Sequence, residues 1–433
     1  EMKSTFESSG LAIFGGNPVV GKPLAAYNSI GEEEVKALEA VGRTGKFSGF
    51  IGAWCDEFGG GPIVQAFEDA WRERFRVRHA ISVNSNTSGL IAALGAIGLS
   101  PGDEVIVPPM TMSATVMAPL IYGGIPVFVD MEPETFCLDI EKVAEAITSK
   151  TRAILVVDLF GHPAELAQLR TLADERGIYL IEDAAQAPLA TEQGCLAGCV
   201  GHIGVFSLNC HKHIQTGEGG VCVTEDDDLA LRMRAIRNHG ENIVETLEMT
   251  DATNMVGFNF RMTELSAAVG IEQLKKLDRL VDEREAISKR LTEVAMDLPG
   301  LTPPAVREGC RNVYYVWAAK YDEAVTGVPR QLIAKALQAE GLPVGEGYCE
   351  PLYRLPTFQR RRAIGRDGWP FSLTERQYEP NMCPVAESLF KDELLTFDVC
   401  SYELSEDDLL SVINAMQKVF NHLPALARQP SDN

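Results

Sequence analysis

Between residues 80 and 224, short and almost unbroken apolar runs alternate with stretches in which apolar residues recur at helical spacing. The runs 80–83, 104–107, 125–129, 153–157, 178–181, 205–207 and 221–224 lack polar–apolar alternation, as strands covered on both faces do, and parallel sheets have that character. Between them, 88–98, 113–122, 140–147 and 165–176 carry the helical period. The alternation predicts an α/β domain with a mainly parallel sheet and crossover connections. A long helix follows over 263–298, charged on its outer face. Beyond Pro303 the order changes to a strand at 313–319, a helix at 329–340 and a terminal helix at 404–420. The expected division is an N-terminal arm (1–35) packing on the large domain or on a partner subunit, a large domain (36–284), and a smaller α+β domain (285–433).

Length supports two units, since single cores rarely grow far beyond roughly 250–300 residues and the chain has 433. A formal charge of −22 disfavours nucleic acid and anionic membranes as partners, because both demand basic surface. It leaves room for a small anion held by a few local groups. No apolar stretch approaches the ~20 residues of a membrane span. The polar start, 1–10, lacks the layout of a signal peptide, so a cytoplasmic enzyme is expected. Ten cysteines are too dilute for a disulfide scaffold. Cys195 and Cys199 have no second Cys/His pair at zinc-finger spacing, and His211 and His213 have no carboxylate cluster nearby. No metal site is expected.

Four segments carry candidate chemistry. Asn84-Ser85-Asn86-Thr87-Ser88-Gly89 lies between a predicted strand and helix, where backbone amides at a helix N-terminus bind phosphate; a plain N-cap explains the same residues. Asp183 and Gln186 follow the apolar run 178–181, at the strand end where open α/β sheets place ligands. A carboxylate there can hold a pyridine nitrogen protonated and Gln186 can bond a ring hydroxyl, although a helix cap or a surface acid is equally compatible. Ser207 and Lys212 stand between an apolar strand and the turn Thr216-Gly217-Glu218-Gly219-Gly220. Burial there would depress the lysine's pKa and free a nucleophilic amine; an exposed turn lysine is the alternative. Asn259 and Arg261 sit among Phe258, Phe260 and Met262 before the long helix, suited to an anionic group or to a loop staple.

The order of phosphate loop, acid and lysine resembles the aspartate-aminotransferase-like (fold type I) plan. The stretches Asp103–Pro108, Glu182–Gln186, Thr216–Gly220, Arg237–Gly240 and Gly257–Met262 resemble the DegT/DnrJ/EryC1/StrS sugar aminotransferases over nearly the whole chain, from about Leu11 to His422. The resemblance implies pyridoxal 5'-phosphate, with Lys212 as its Schiff-base and proton-transfer lysine, Asp183 as partner of the pyridine nitrogen and Gln186 beside the ring hydroxyl. It implies phosphate contacts from Ser207 and from Asn86, Thr87 and Ser88. Asn259 and Arg261 match the segment that reaches the phosphate of the other subunit's cofactor, implying a homodimer with shared active sites. Two positions depart from the pattern. Met112 stands where relatives usually carry an aromatic that stacks on the pyridine, and Asn86 stands where they often carry glycine.

Relatives acting on nucleotide sugars tend to carry a His-Tyr…Pro-Leu-His pattern where this chain reads Gly347-Tyr348-Cys349-Glu350-Pro351-Leu352-Tyr353. With 11–16 and 383–387, this is closer to the cyclitol and aminohydroxybenzoate branch. The expectation is an aminotransferase moving an amino group from glutamate or glutamine to the ketone of a cyclitol or sugar. A nucleotide-linked ketosugar, or a dehydratase or aromatising synthase of the same family, is the alternative. The dehydratase offshoot has histidine at the lysine position, against which Lys212 stands. The basic run Arg360-Arg361-Arg362 is read as a solvated face in preference to a diphosphate site.

Overall fold

In a computed structural model, described here for residues 10–428, a seven-stranded sheet forms the centre of the larger unit. Its strands are β1 (His79–Val83), β2 (Glu104–Val107), β3 (Ile125–Phe128), β4 (Thr151–Val157), β5 (Tyr179–Asp183), β6 (Ile203–Ser207) and β7 (Gly220–Thr224). Their order across the sheet is β1-β7-β6-β5-β4-β2-β3. β7 runs antiparallel to both neighbours, and the other pairs are parallel. The sheet is thus α/β and mainly parallel, as the unbroken apolar runs predict. Strands such as Val105-Ile106-Val107 are fully buried because crossover helices cover both faces.

The predicted helix at 113–122 is broken in two. An α-turn spans Ala114–Met117 and a 3-10 segment spans Ala118–Tyr122. Pro119 has no amide to donate, which prevents a continuous ladder. The long helix is α1 (Glu264–Ala295), capped by Thr263, whose side chain accepts from Ser266 N. Its inner face contributes Leu274, Leu277 and Val281 to the first core and Ile287, Leu291 and Ala295 to a second.

The second core is built on a four-stranded antiparallel sheet of β8 (Leu301–Thr302), β9 (Trp317–Tyr321), β10 (Val344–Glu346) and β11 (Leu394–Phe397), in the order β8-β9-β11-β10. The strand expected over 313–319 begins later. Residues 313–315 instead bond to the larger unit, Val313 N to Gly161 O at 3.0 Å and Tyr315 N to Phe160 O at 2.8 Å. The segment 352–386 also returns to the first core. Tyr353, Phe358 and Tyr378 all pack edge-on against Phe128.

The expected signal-free start lies largely outside the described residues. From Gly10 the chain packs on the smaller unit, whereas the sequence reading placed the arm on the large domain or on a partner. Leu11 and Val20 belong to the second core, and residues 25–26 pair with residues 402–403. Contact with the larger unit begins at Tyr27, whose hydroxyl donates to His213 O at 2.7 Å. Buried Glu340 fastens the arm, accepting from Ala12 N (2.8 Å), Val19 N (3.0 Å) and Lys418 Nζ (2.9 Å). Among the described residues no helix is long and apolar enough to cross a membrane.

Glu340→Ala is expected to cost about 2 kcal/mol, because it leaves the amides of Ala12 and Val19 without their acceptor, while Lys418 keeps its bond to Asn17 O. Hydrogen exchange should show faster exchange at Ala12 and Val19; unchanged protection there would contradict the fastening role.

Candidate active site

The carboxyl ends of β4, β5 and β6, and the turn after β1, converge on one cavity of about 440 Å³. Strand-to-helix turns at that edge expose amides and side chains, which is why open α/β sheets bind ligands there. Asp183, the last residue of β5, is buried. Its carboxylate accepts from Thr115 Oγ1 (2.8 Å), Asn86 Nδ2 (3.2 Å) and Ala185 N (3.2 Å). Burial pushes this carboxyl above its ordinary range, while Thr115, Ala185, the Lys212 charge and Asn86 favour the charged form. A cation at the free side of the cavity would relieve that cost.

Lys212 hangs in the loop that joins β6 to antiparallel β7. Its Nζ lies 4.1 Å from the centre of the Tyr315 ring. The residue is half-buried, with its amine directed into the cavity and out of bulk water. Burial lowers its pKa to about 8, opposed by the negative charge of Asp183. An amine at that value is substantially neutral in mildly alkaline solution.

The helix α2 (Asn86–Ala96) starts at the cavity wall, capped by Ser85. The amides of Asn86 and Thr87 open this helix and have no intrahelical acceptor. Gly220 allows the approach of β7 to this turn, since a Cβ there would lie 2.7 Å from Ser85 C and 2.8 Å from Asn86 N. Thr87 and Ser207 line the cavity; Ser88 does not. The Ser88 amide and hydroxyl are taken up by Ser85 Oγ (3.0 Å) and Asn84 Oδ1 (2.6 Å), so Ser88 serves the cap. The Asn86 side chain is likewise committed, to Asp183 and to Val205 O at 3.3 Å, leaving its backbone amide for a ligand. Gln186 is buried on the cavity wall. Its Oε1 accepts from Phe160 N at 2.7 Å and its Nε2 donates to the Tyr348 hydroxyl at 3.2 Å.

Met112 lines the cavity and is 61% exposed, a thioether at the mouth whose sulfur accepts from Ser113 Oγ at 3.4 Å. Asn259 and Arg261 do not line their own chain's cavity. Arg261 bonds Asn238 Oδ1 at 2.9 and 2.6 Å, and Asn259 is exposed. Exposed Ile51 and Phe47 lie beside this segment, Ile51 O accepting from Asn238 Nδ2 at 2.9 Å and Phe47 O from Glu264 N at 2.9 Å. Arg361 is bonded to the carbonyls of Phe371, Thr374 and Arg376 and acts as a loop staple. Among the described residues no group of three or more His, Cys, Asp or Glu side chains is placed to hold a metal.

Sequence reasoning missed Thr115, Asn209, Glu218, Tyr315 and Tyr348, all at or beside the cavity. The glycine-rich turn around Glu218 pointed to it. Thr115, inside an apolar helical run, gave no signal.

An aminotransferase-type α/β site is what this arrangement defines. A sequence profile of the DegT/DnrJ/EryC1/StrS aminotransferase family matches residues 30–417, and the chain belongs to that family. Among its relatives is an L-glutamine:2-deoxy-scyllo-inosose aminotransferase of Streptoalloteichus tenebrarius, 34% identical over 436 residues and covering 95% of this chain and 98% of that one. The fold is similar to that of an aminotransferase from Psychrobacter cryohalolentis (TM-score 0.80, 27% identity, 93% of this chain and 100% of that one). It is also similar to the GDP-4-keto-6-deoxy-D-mannose-3-dehydratase of E. coli with bound hydrated PLP (TM-score 0.75, 25% identity, 91% and 98% covered). The architecture is fold type I, and the chain is an aminotransferase of this family.

Acylation of Lys212 in the cofactor-free protein, read by peptide mass spectrometry, should rise through a midpoint near pH 8, because only the neutral amine attacks. Asp183→Asn removes a charge that favours the ammonium form, so the midpoint should move down. A midpoint at the ~10.4 of an exposed lysine, or an upward shift in the variant, would contradict the site's electrostatics.

Proposed function

We propose that this chain transfers an amino group from glutamine or glutamate to the ketone of a cyclitol or free sugar, with pyridoxal phosphate as cofactor. The observation that carries the reading is a lysine of lowered pKa and a buried, hydrogen-bonded carboxylate facing one cavity. The residues present fit the cofactor. The first amides of α2, with Thr87 and Ser207, suit its phosphate, and Asp183 suits a protonated ring nitrogen. The second hydrogen of Gln186 Nε2 is free for the ring hydroxyl. When bound, pyridoxal phosphate supplies an aldehyde that takes up amines and a ring that accepts electrons.

The chain's own residues do the rest. Asp183 keeps the ring nitrogen charged throughout, since its carboxylate is fixed by Thr115, Asn86 and Ala185. Lys212 Nζ takes the proton from the donor's α-carbon in the first half-reaction. In the second it delivers a proton to the substrate carbon that becomes the amine carbon. Tyr315 and Tyr348 close the cavity wall around that amine and exclude water. Two half-reactions on one site give ping-pong kinetics.

The cyclitol or free-sugar reading is supported by the name of the Streptoalloteichus relative and by charge. Lys212 is the one Lys or Arg side chain among the described residues lining the cavity, and Arg361 is committed to loop carbonyls. With Lys212 taken up by the cofactor, a nucleotide diphosphate would find no further Lys or Arg in this wall, whereas hydroxyls find amide and hydroxyl partners.

We further propose a homodimer in which Asn259 and Arg261 of one subunit reach the other's cofactor phosphate. Their position outside their own cavity, beside exposed apolar side chains, supports this.

Enzyme loaded as the pyridoxamine form should regain its visible absorbance band when 2-deoxy-scyllo-inosose is added. Recovery with a GDP-linked ketosugar alone would overturn the substrate reading, and recovery with no ketone would overturn transamination. Lys212→Ala should lose turnover by about 10³-fold or more. Mixing inactive Lys212→Ala and Arg261→Ala subunits should restore about a quarter of wild-type activity if sites are shared across a two-fold interface; no recovery would place Arg261 outside the site.

A further inference from the structure

Lys212 is suspended between two anchors of different kinds. On its C-terminal side, buried His213 bonds Val313 O through Nε2 at 2.8 Å, and Gln215 N donates to Gln273 Oε1 at 3.1 Å. Both tie that arm of the loop to the body of the protein. Among the described residues no hydrogen bond to the body holds the N-terminal arm beyond buried Leu208, and the arm is held by its own hairpin. The β6–β7 register pairs Ser207 with Gly220, and it continues past the strand ends. Leu208 N donates to Gly219 O and Cys210 N to Gly217 O, each at 2.9 Å.

This register sets Asn209 opposite Glu218, a cross-strand pair on one face of the ribbon. Both residues line the cavity. Asn209 Nδ2 lies 3.1 and 3.2 Å from the two carboxylate oxygens of Glu218, which has no cation partner among the described residues. The rest of Asn209 is engaged toward the lysine. Its Oδ1 accepts from His211 N at 3.2 Å, its carbonyl from Lys212 N at 3.0 Å, and its amide donates to Ser207 Oγ at 3.2 Å.

We propose that the Asn209–Glu218 pair is the positioning element of the active site, bracing the free arm of the loop so that the Lys212 amine stays aimed into the cavity. The inference rests on Lys212 being the reactive amine of the proposed function. It assigns Glu218 a geometric role: Glu218 works through Asn209, as the acceptor of its side-chain amide. The pair is partly exposed, so its loss changes global stability little while displacing an amine whose placement governs rate.

The role is testable by exchanging donor and acceptor. Asn209→Asp sets two carboxylates face to face. Asn209→Asp combined with Glu218→Gln restores one hydrogen bond in the opposite sense. Two readouts are taken: the limiting rate of Lys212 acylation at high pH in the cofactor-free protein, where the amine is fully neutral and a shifted pKa no longer counts, and growth of the visible band when pyridoxal phosphate is added. Asn209→Asp should slow both by about tenfold with little change in melting temperature, and the double variant should recover most of the loss. If Asn209→Asp does not fold, Glu218→Ala against Glu218→Gln makes the same test, the first slow and the second near wild type. Equal rates in all variants, or a double variant no better than Asn209→Asp, would overturn the proposal. Acylation is read without cofactor, so it decides the pair's role even if transamination itself were refuted by the Lys212→Ala variant.

Discussion

A carboxylate buried at the end of a central strand is the constraint on which the site depends. Desolvating Asp183 is costly unless its oxygens are bonded, and the structure supplies three donors from three different elements. Each donor fixes something else. Asn86 can reach Asp183 only if α2 begins beside β5, which brings the first helix amides to the cavity. Thr115 ties down the turn that carries Met112. Ala185 sets the course of the chain toward Gln186. The charge of Asp183 in turn favours the ammonium form of Lys212, while burial works against it. The balance leaves the amine with a pKa of about 8, so mildly alkaline solution frees it for attachment to an aldehyde.

The strands, the order of the chemistry-bearing segments and the lysine were legible in the sequence because each rests on local signals: unbroken apolar runs, cap residues and glycines at a tight turn. Gly220 illustrates this, since any side chain there would collide with the turn at Ser85 and Asn86. What stayed hidden depends on long-range pairing. The run from Val313 reads as a strand, yet its amides pair with Phe160 and Gly161, and this places Tyr315 over Lys212. Ser88 and Thr87 look alike in sequence, and only the cap geometry shows that Ser88 turns away. Tyr353, Phe358 and Tyr378 belong by position to the C-terminal unit, but they join the first core because Phe128 offers an aromatic platform.

The cavity wall explains why substrate reading is a matter of charge as much as shape. Hydroxyl, amide and phenol groups share it with apolar Ala114 and Val157, with Glu218 adding negative charge at the loop and Met112 at the mouth. Such a wall offers hydrogen bonds to hydroxyl groups, and its one Lys or Arg side chain, Lys212, is the amine that the proposed reading commits to the cofactor. Cations for anionic groups must come from beyond this wall, which is where Asn259 and Arg261 lie.

The central claim is that Lys212 is the point of covalent attachment of pyridoxal phosphate. Borohydride reduction of the cofactor-loaded protein, followed by peptide mass mapping, tests it most directly. A pyridoxyl group on Lys212 is the predicted result, and a label on any other lysine, or none, would contradict it.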